Sequence, residues 1–290
     1  MSKTIILTDS ASDIPVDMQE KYGIDIMNFA ITLDGKSYTE RVDFTFDEYY
    51  EMLRTAEGMP STAHITSIQF LDKYMAYDDA GYTDVIHITI CAAGSATNDA
   101  AHLAAIQFKE ERPNSNLRIH IVDSHTYSMV YGYHVLETAK KIKNGAEVKL
   151  VLEDLEQAFA SMEVILAAYT LRFMKKSGRV SAAAAFAGEL LGLKPIVTLI
   201  DGKSQVQSKV RGDAAVMPAM LKLLKQRIVP NEPYMIGTTD DTRAAELAKL
   251  AKKEMGYAPT LIFKLGSAVS TNTGPDAIAF VYMGEKRTRE

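Results

Sequence analysis

Three times in the first half of the chain, a short β-branched run leads into a hydroxyl-rich turn. This rhythm constrains the fold more than any other feature of the sequence. The runs cover residues 4–8, 85–90 and 117–122, and the turns contain Thr8-Asp9-Ser10, Gly94-Ser95-Ala96-Thr97 and Asp123-Ser124-His125-Thr126. Beyond the second turn, Ala100, Leu103, Ala104 and Phe108 repeat at helical spacing, with Asn98, Asp99 and Lys109 off the stripe. A helix packed on the sheet through those four residues is therefore expected, starting near Ser95 or Thr97. Alternating strands and helices imply a parallel sheet, and open parallel sheets bind ligands at the carboxyl edge, where the three turns fall.

Residues 148–161 read as one more helix, with Leu150, Leu152, Leu155 and Phe159 apolar. Strand patterns follow at 164–169, 195–200, 234–238, 260–265 and 277–283, and helices near 213–228 and 240–255. The fold class expected is α/β in two domains: a parallel-sheet, Rossmann-like domain over 1–161 and a second α/β domain over 162–290. A chain of 290 residues, 47% hydrophobic, can bury cores of that size. There is no fixed-period repeat and no Pro/Ser-rich linker, so the domains are expected to share a cleft, a default ligand site.

Composition removes several functions. Against 37 acidic side chains stand 32 basic ones, without the basic excess of a nucleic-acid footprint, so no nucleic-acid partner is expected. The single cysteine, Cys91, forms no intramolecular disulfide, and no cluster of spaced His and Cys suggests a metal site. The start of the chain has too short an apolar run for a signal peptide or a transmembrane segment, which points to the cytoplasm. The phosphate loop GxxxxGK[ST], the dinucleotide fingerprint GxGxxG, the zinc motif HExxH and the nucleophile elbow GxSxG are all missing. The six histidines (His64, His87, His102, His120, His125 and His134) all lie in the first half. His87 and His120 fall within strands and read as structural; His125, in its turn, is the better base.

Further motifs give the chain a resemblance. Thr8-Asp9-Ser10-Ala11-Ser12-Asp13 is similar to the opening TDSxxD turn of the DegV family. Pro60-Ser61-Thr62-Ala63-His64-Ile65-Thr66 stands where that family carries P-x-T-S-Q-P-S, matching at Thr62 and departing at the next three positions. Ser95 and Thr97 match the hydroxyls of L-S-G-T-Y-Q-S-A, and Val122-Asp123-Ser124 with Ser128 and Gly132 resembles VDS-xxxS-xxxG. Lys176-Ser177-Gly178-Arg179-Val180-Ser181 looks like K-G-G-R-I-S, and Leu193-Lys194-Pro195-Ile196 like L-x-x-K-P-I. Asn272-Thr273-Gly274-Pro275 resembles H-T-G-P-G, with asparagine for the histidine and Asp276 for the last glycine.

The resemblance implies a non-catalytic lipid-binding protein of two α/β domains. A long-chain fatty acid such as palmitate would lie in a tunnel between them, its carboxylate held by Thr62 and Ser95. Thr97, Ser124, Arg211 and Asn272 are candidate further contacts, Arg211 on its own charge and with a partner-facing or solvated surface as its alternatives; no cofactor or metal is implied, and some members present the acid to a fatty acid kinase. Asn272 can hydrogen-bond but cannot exchange a proton near neutral pH, which sets this chain apart at that step. Chemistry agrees with the head-group residues: hydroxyls at a helix start can donate to a carboxylate without adding a titrating group. The competing role of Ser95 or Thr97 is to cap that helix. Burying the tail supplies roughly 0.8 kcal/mol per methylene. Phe173, Met174, Val180, 182–186, Leu190, Leu191 and Leu193 would line its path or simply form helix core. The alternative is a phosphotransferase or hydrolase using Asp9, Asp123 and His125.

Overall fold

The computed structural model describes residues 3–178 and 192–287. The chain forms two compact units, one of Met1–Ala30 with Thr62–Phe159 and one of Ile31–Ser61 with Ala160–Glu290. The division drawn from the sequence keeps each domain continuous. In the structure, the second unit also takes the early excursion 31–61.

The first unit is built on β1 (Thr4–Asp9), β2 (Ile24–Met27), β6 (Asp84–Thr89) and β7 (Arg118–Asp123), ordered β2-β1-β6-β7 and parallel throughout. Central β6 is buried along its whole length, as a strand covered on both faces must be. Helices α1 (Val16–Tyr22), α3 (Ser67–Asp79), α4 (Thr97–Glu111), α5 (Met129–Lys143) and α6 (Val148–Ala158) complete the unit, and β5 (Ser61–Ala63) leads into it. The register pairs Thr8 with Ile88 and Thr89 with Asp123, bringing the three hydroxyl turns to one edge. Helix α4 buries Thr97, Ala100, Ala101, Ala104 and Phe108, an i, i+4, i+8 face. Leu103, expected on that face, is instead 60% exposed, because small alanines let the helix approach through the 100/104/108 row. Leu150 likewise points outward, at 55%, while Val151, Leu155 and Phe159 are buried.

The excursion supplies the second unit with β3 (Ala30–Leu33), β4 (Lys36–Thr39) and α2 (Phe46–Thr55). Its main sheet joins β8 (Met162–Ala168), β9 (Leu193–Ile200), β10 (Lys203–Arg211), β11 (Tyr234–Thr238), β12 (Leu261–Lys264) and β13 (Ala277–Met283) in the order β10-β9-β8-β13-β11-β12. Every pairing is antiparallel except β11 with β12. Short α7 (Arg172–Ser177) follows β8. Helices α8 (Val216–Arg227) and α9 (Asp241–Met255) cover one face through Val216, Met220, Leu224, Leu247 and Ala251, packed on Ile165, Ile236 and Phe280. Helix α10 (Ser267–Thr273) leads into the Gly274 turn. Among the described residues, no helix is long and apolar enough to cross a membrane.

Candidate functional site

Asp9 ends β1, and burial makes it a scaffold. Its carboxylate accepts from the Ile90 N–H at 2.9 Å, the Ala11 N–H at 3.2 Å and the Tyr131 hydroxyl at 2.6 Å. A fully buried carboxylate with those donors ties the β1 turn to the end of β6 and to α5. This corrects the place given to Asp9 in the phosphotransferase or hydrolase alternative, since its oxygens already serve the backbone. Among the described residues, no group of three or more His, Cys, Asp or Glu is arranged to hold a metal ion.

The loop from β6 to α4 carries the hydroxyls. Gly94 N–H and Ser95 N–H both donate to the Cys91 carbonyl, at 3.0 and 3.1 Å, which curls the loop. Ser95 Oγ lies 2.9 Å from Thr97 Oγ1 and accepts a long 3.4 Å bond from the Thr97 N–H. The residue in the cap position is Ala96, which has no polar side chain to cap the helix, and the long Ser95 bond is the side-chain contact to the first helical N–H. Ser95 is therefore not the N-cap that the competing reading required: it stands one residue before it, partly exposed, with its hydroxyl beside that of buried Thr97. Thr62, at the centre of β5, belongs to the same unit and is partly exposed. Among these candidates, direct contact joins Ser95 and Thr97.

Ser124 is spent locally, its hydroxyl donating to the Thr126 carbonyl at 3.2 Å and accepting from the Thr126 N–H at 3.3 Å. Arg211 and Asn272 lie in the second unit. Arg211 closes edge strand β10 and is exposed. The Asn272 amide donates to the Ala268 carbonyl at 2.9 Å, within its own helix. Gly274, at φ +90°, faces the Phe173 ring so closely that a Cβ would come within 2.8 Å of it. Phe173 itself packs with Ile31, Leu33, Phe44, Tyr49 and Leu53. Of the other expected lining residues, Met174 is buried, Leu193 opens β9, and Val180, 182–186, Leu190 and Leu191 lie outside the described residues.

Sequence reasoning missed the support beneath the hydroxyls. Buried Ser128, with φ +59° and ψ −152°, donates its hydroxyl to Asp13, itself left-handed at φ +55°. Such backbone persists only where surrounding bonds hold it. The signal available was the repeated Asp-Ser pairing in TDSASD and DSHTYS. A cavity of 1030 Å³ opens elsewhere, at the amino ends of the same strands, lined by Thr4, Asp84, Arg118 and His120. There buried Asp84 takes two bonds from Arg118, at 2.9 and 2.8 Å, and lies 2.9 Å from His120 Nε2, a cross-strand ion cluster on the opposite edge from the hydroxyl turns.

The family model described as "Uncharacterised protein, DegV family" matches residues 3–285. The chain belongs to the DegV family. A DegV domain-containing protein of Clostridium perfringens is 27% identical over 283 residues, covering 97% of this chain and 98% of its own. Among solved structures, a DegV family protein from Thermus thermophilus, described as fatty acid binding, is 26% identical with a TM-score of 0.84, covering 98% of this chain and all of its own (100%). A stearic-acid-binding protein from Eubacterium ventriosum superposes with a TM-score of 0.87 at 23% identity over 98% of each chain, a likeness of fold. The DegV fold is thus shared end to end.

Proposed function

We propose that this DegV protein is a non-catalytic cytoplasmic carrier that binds a long-chain fatty acid such as palmitate in an enclosed tunnel, with Thr62 and Ser95 donating to the carboxylate. The observation that carries this reading is the end-to-end likeness to the fatty-acid-binding Thermus thermophilus protein. Local chemistry supports it: the Ser95–Thr97 hydroxyl pair stands at the start of a helix whose N-cap residue, Ala96, offers no side-chain bond, where backbone N–H groups and the dipole favour an anion. Hydroxyl donors hold a carboxylate without transforming it. Thr97 supports Ser95, Arg211 and Asn272 are additional contacts in this proposal, and Ser124, whose hydroxyl already bonds Thr126, holds its turn. The carrier would hand its acid to a fatty acid kinase, in a step that Asn272 serves by hydrogen bonding alone.

Solvent extraction of the purified protein followed by mass spectrometry should recover a long-chain fatty acid, and incubation with ATP and Mg²⁺ alone should leave that acid unchanged. The Thr62→Ala/Ser95→Ala double variant should bind palmitate more weakly by about 1.5–3 kcal/mol per lost charge-assisted bond, and less where water substitutes. Hexadecanol, lacking the carboxylate, should lose much less. If the folded double variant kept its preference for acid over alcohol, the head-group assignment would fail; no fatty acid either extracted or bound would remove the carrier reading.

A further inference from the structure

The turn after β7 holds a histidine in an unusual state. His125 has φ +56°, a left-handed backbone uncommon outside glycine though one that Asn, Asp and His adopt more often than other residues, and its side chain is 49% exposed. Asp123 supports it twice: Oδ1 accepts the His125 N–H at 2.8 Å and Oδ2 lies 3.1 Å from Nδ1. A carboxylate on Nδ1 places a proton there and leaves Nε2 to act outward, as acceptor when the ring is neutral and donor when it is charged.

The same turn is fastened to the loop that carries Ser95. The Ala92 N–H donates to Asp123 Oδ1 at 3.1 Å, the Cys91 N–H to the Thr126 carbonyl at 3.0 Å, and the Ser124 N–H to the Thr89 carbonyl at 3.2 Å. Tyr127 closes the contact: a Cβ on Gly94 would fall 2.7 Å from its Cε1 atom, so the ring packs directly on the Gly94 backbone. Asp123 thus shapes both loops with one carboxylate while aiming the imidazole at the exposed edge. The other histidines have different settings: His87 is buried against Tyr74, and His120 is paired with Asp84 at the far edge.

We propose that His125, oriented by Asp123, is a further head-group residue of the fatty-acid site, donating from Nε2 to the carboxylate when protonated. The inference rests on the fatty-acid reading above. Titratable groups on the neighbouring elements are already engaged. From the loop after β6 comes the Cys91 thiol, which burial pushes up and which pairs with Tyr127 of the same turn. From β1 comes Asp9, whose oxygens take Ile90, Ala11 and Tyr131. From β7 comes Asp123 itself.

The sign follows directly. A protonated ring stabilises the bound carboxylate, so affinity is highest below the histidine's pKa in the complex and is lost as pH rises through it. The test compares palmitate and hexadecanol binding by full-length protein stripped of lipid, from pH 6 to pH 8.5. The variant is His125→Asn, because asparagine tolerates the left-handed backbone and cannot titrate. Wild type should bind palmitate roughly three- to tenfold more tightly at pH 6 than at pH 8.5, the scale of a partly exposed charge-assisted contact. The variant should lose most of that ratio, and hexadecanol should show none of it. The acid's own titration is common to both proteins and cancels in the comparison. Asp123→Asn, which leaves the ring in place but loosens its aim, should lower the ratio partway. If His125→Asn keeps the wild-type pH ratio while binding remains sensitive to Thr62→Ala/Ser95→Ala, the His125 role is overturned and the carrier reading stands. Failure of every form to bind palmitate overturns both.

Discussion

His87 shows how much a single buried residue sets. It lies in the middle of β6 with no exposed surface, its Nδ1 2.7 Å from the Tyr74 hydroxyl and its ring 4.7 Å from that of Phe70. Burial disfavours the charged form and pushes its pKa down to about 3 from the ordinary 6.5. Between those values the unfolded chain binds a proton that the folded one refuses, so stability falls as pH drops below about 6.5, by up to ~1.4 kcal/mol per pH unit. The variant His87→Leu should be less stable near neutrality by about 1–3 kcal/mol, because Tyr74 loses its partner, and should show a shallower acid decline. Urea titrations at pH 7, 6, 5 and 4 measure both, and parallel declines in the two proteins would refute the assignment. The sequence pattern marked His87 as structural because it interrupts an apolar run; its partner Tyr74, on a different element, could not be read from the pattern.

At the scale of elements, the strongly patterned segments were legible: β11 and β13 fall at the expected residues, and β1, β6, β7, α8 and α9 within a few residues of theirs. The missed strands are β2 to β5 and β10, short or half-polar pieces whose patterns are too brief to stand out. Yet β3–β4 and β9–β10 carry the signal that finds hairpins. Asp34-Gly35 has φ of 47° and 76°, and Asp201-Gly202 has 46° and 75°, the left-handed pair that a type I′ turn demands. An alanine at Gly202 must adopt that backbone at a cost of about 1–2 kcal/mol. Gly202→Ala should therefore lower the urea midpoint, and Asp201→Asn should lower it less, because Asn-Gly suits the same turn and only the charge on the Asp201–Arg287 pair is lost. Equal effects of the two changes would argue against a turn-limited hairpin. The slip at Leu103 has a related cause: spacing alone admits both i+3 and i+4 neighbours to the buried stripe, and only the approach of the sheet chooses between them.

For the molecule as a whole, the proposed ligand couples binding to stability. A fatty acid that binds the folded chain alone stabilises it by RT ln(1 + [L]/Kd), about 2.7 kcal/mol at a hundredfold excess over Kd. At roughly 2–4 °C per kcal/mol for a chain of this size, protein stripped of lipid should melt several degrees below protein reloaded with palmitate. Differential scanning calorimetry on the two forms checks this, and coincident transitions at saturating palmitate would contradict a folded-state ligand. The second unit also has a demanding assembly: 31–61 must wait for 160–290, with the first unit's residues 62–159 made in between. Core residues Ile31, Tyr49 and Phe173 meet across that separation.

The sequence by itself determined the α/β class, the parallel first sheet and the hydroxyl turns at its carboxyl edge, because these follow from local periodicity and turn chemistry along contiguous residues. Its ordered motifs also carried the DegV resemblance. Tertiary structure alone decided that residues 31–61 join the second unit, that Asp9 is bound up in backbone support, and that Ser95 stands one residue before the N-cap position of its helix. It alone showed Asp123 bracing both the Ser95 loop and the His125 ring. Except for the helix start at Ser95, each of these depends on groups far apart in the chain, where spacing carries no information and only packing and hydrogen-bond satisfaction select the partner.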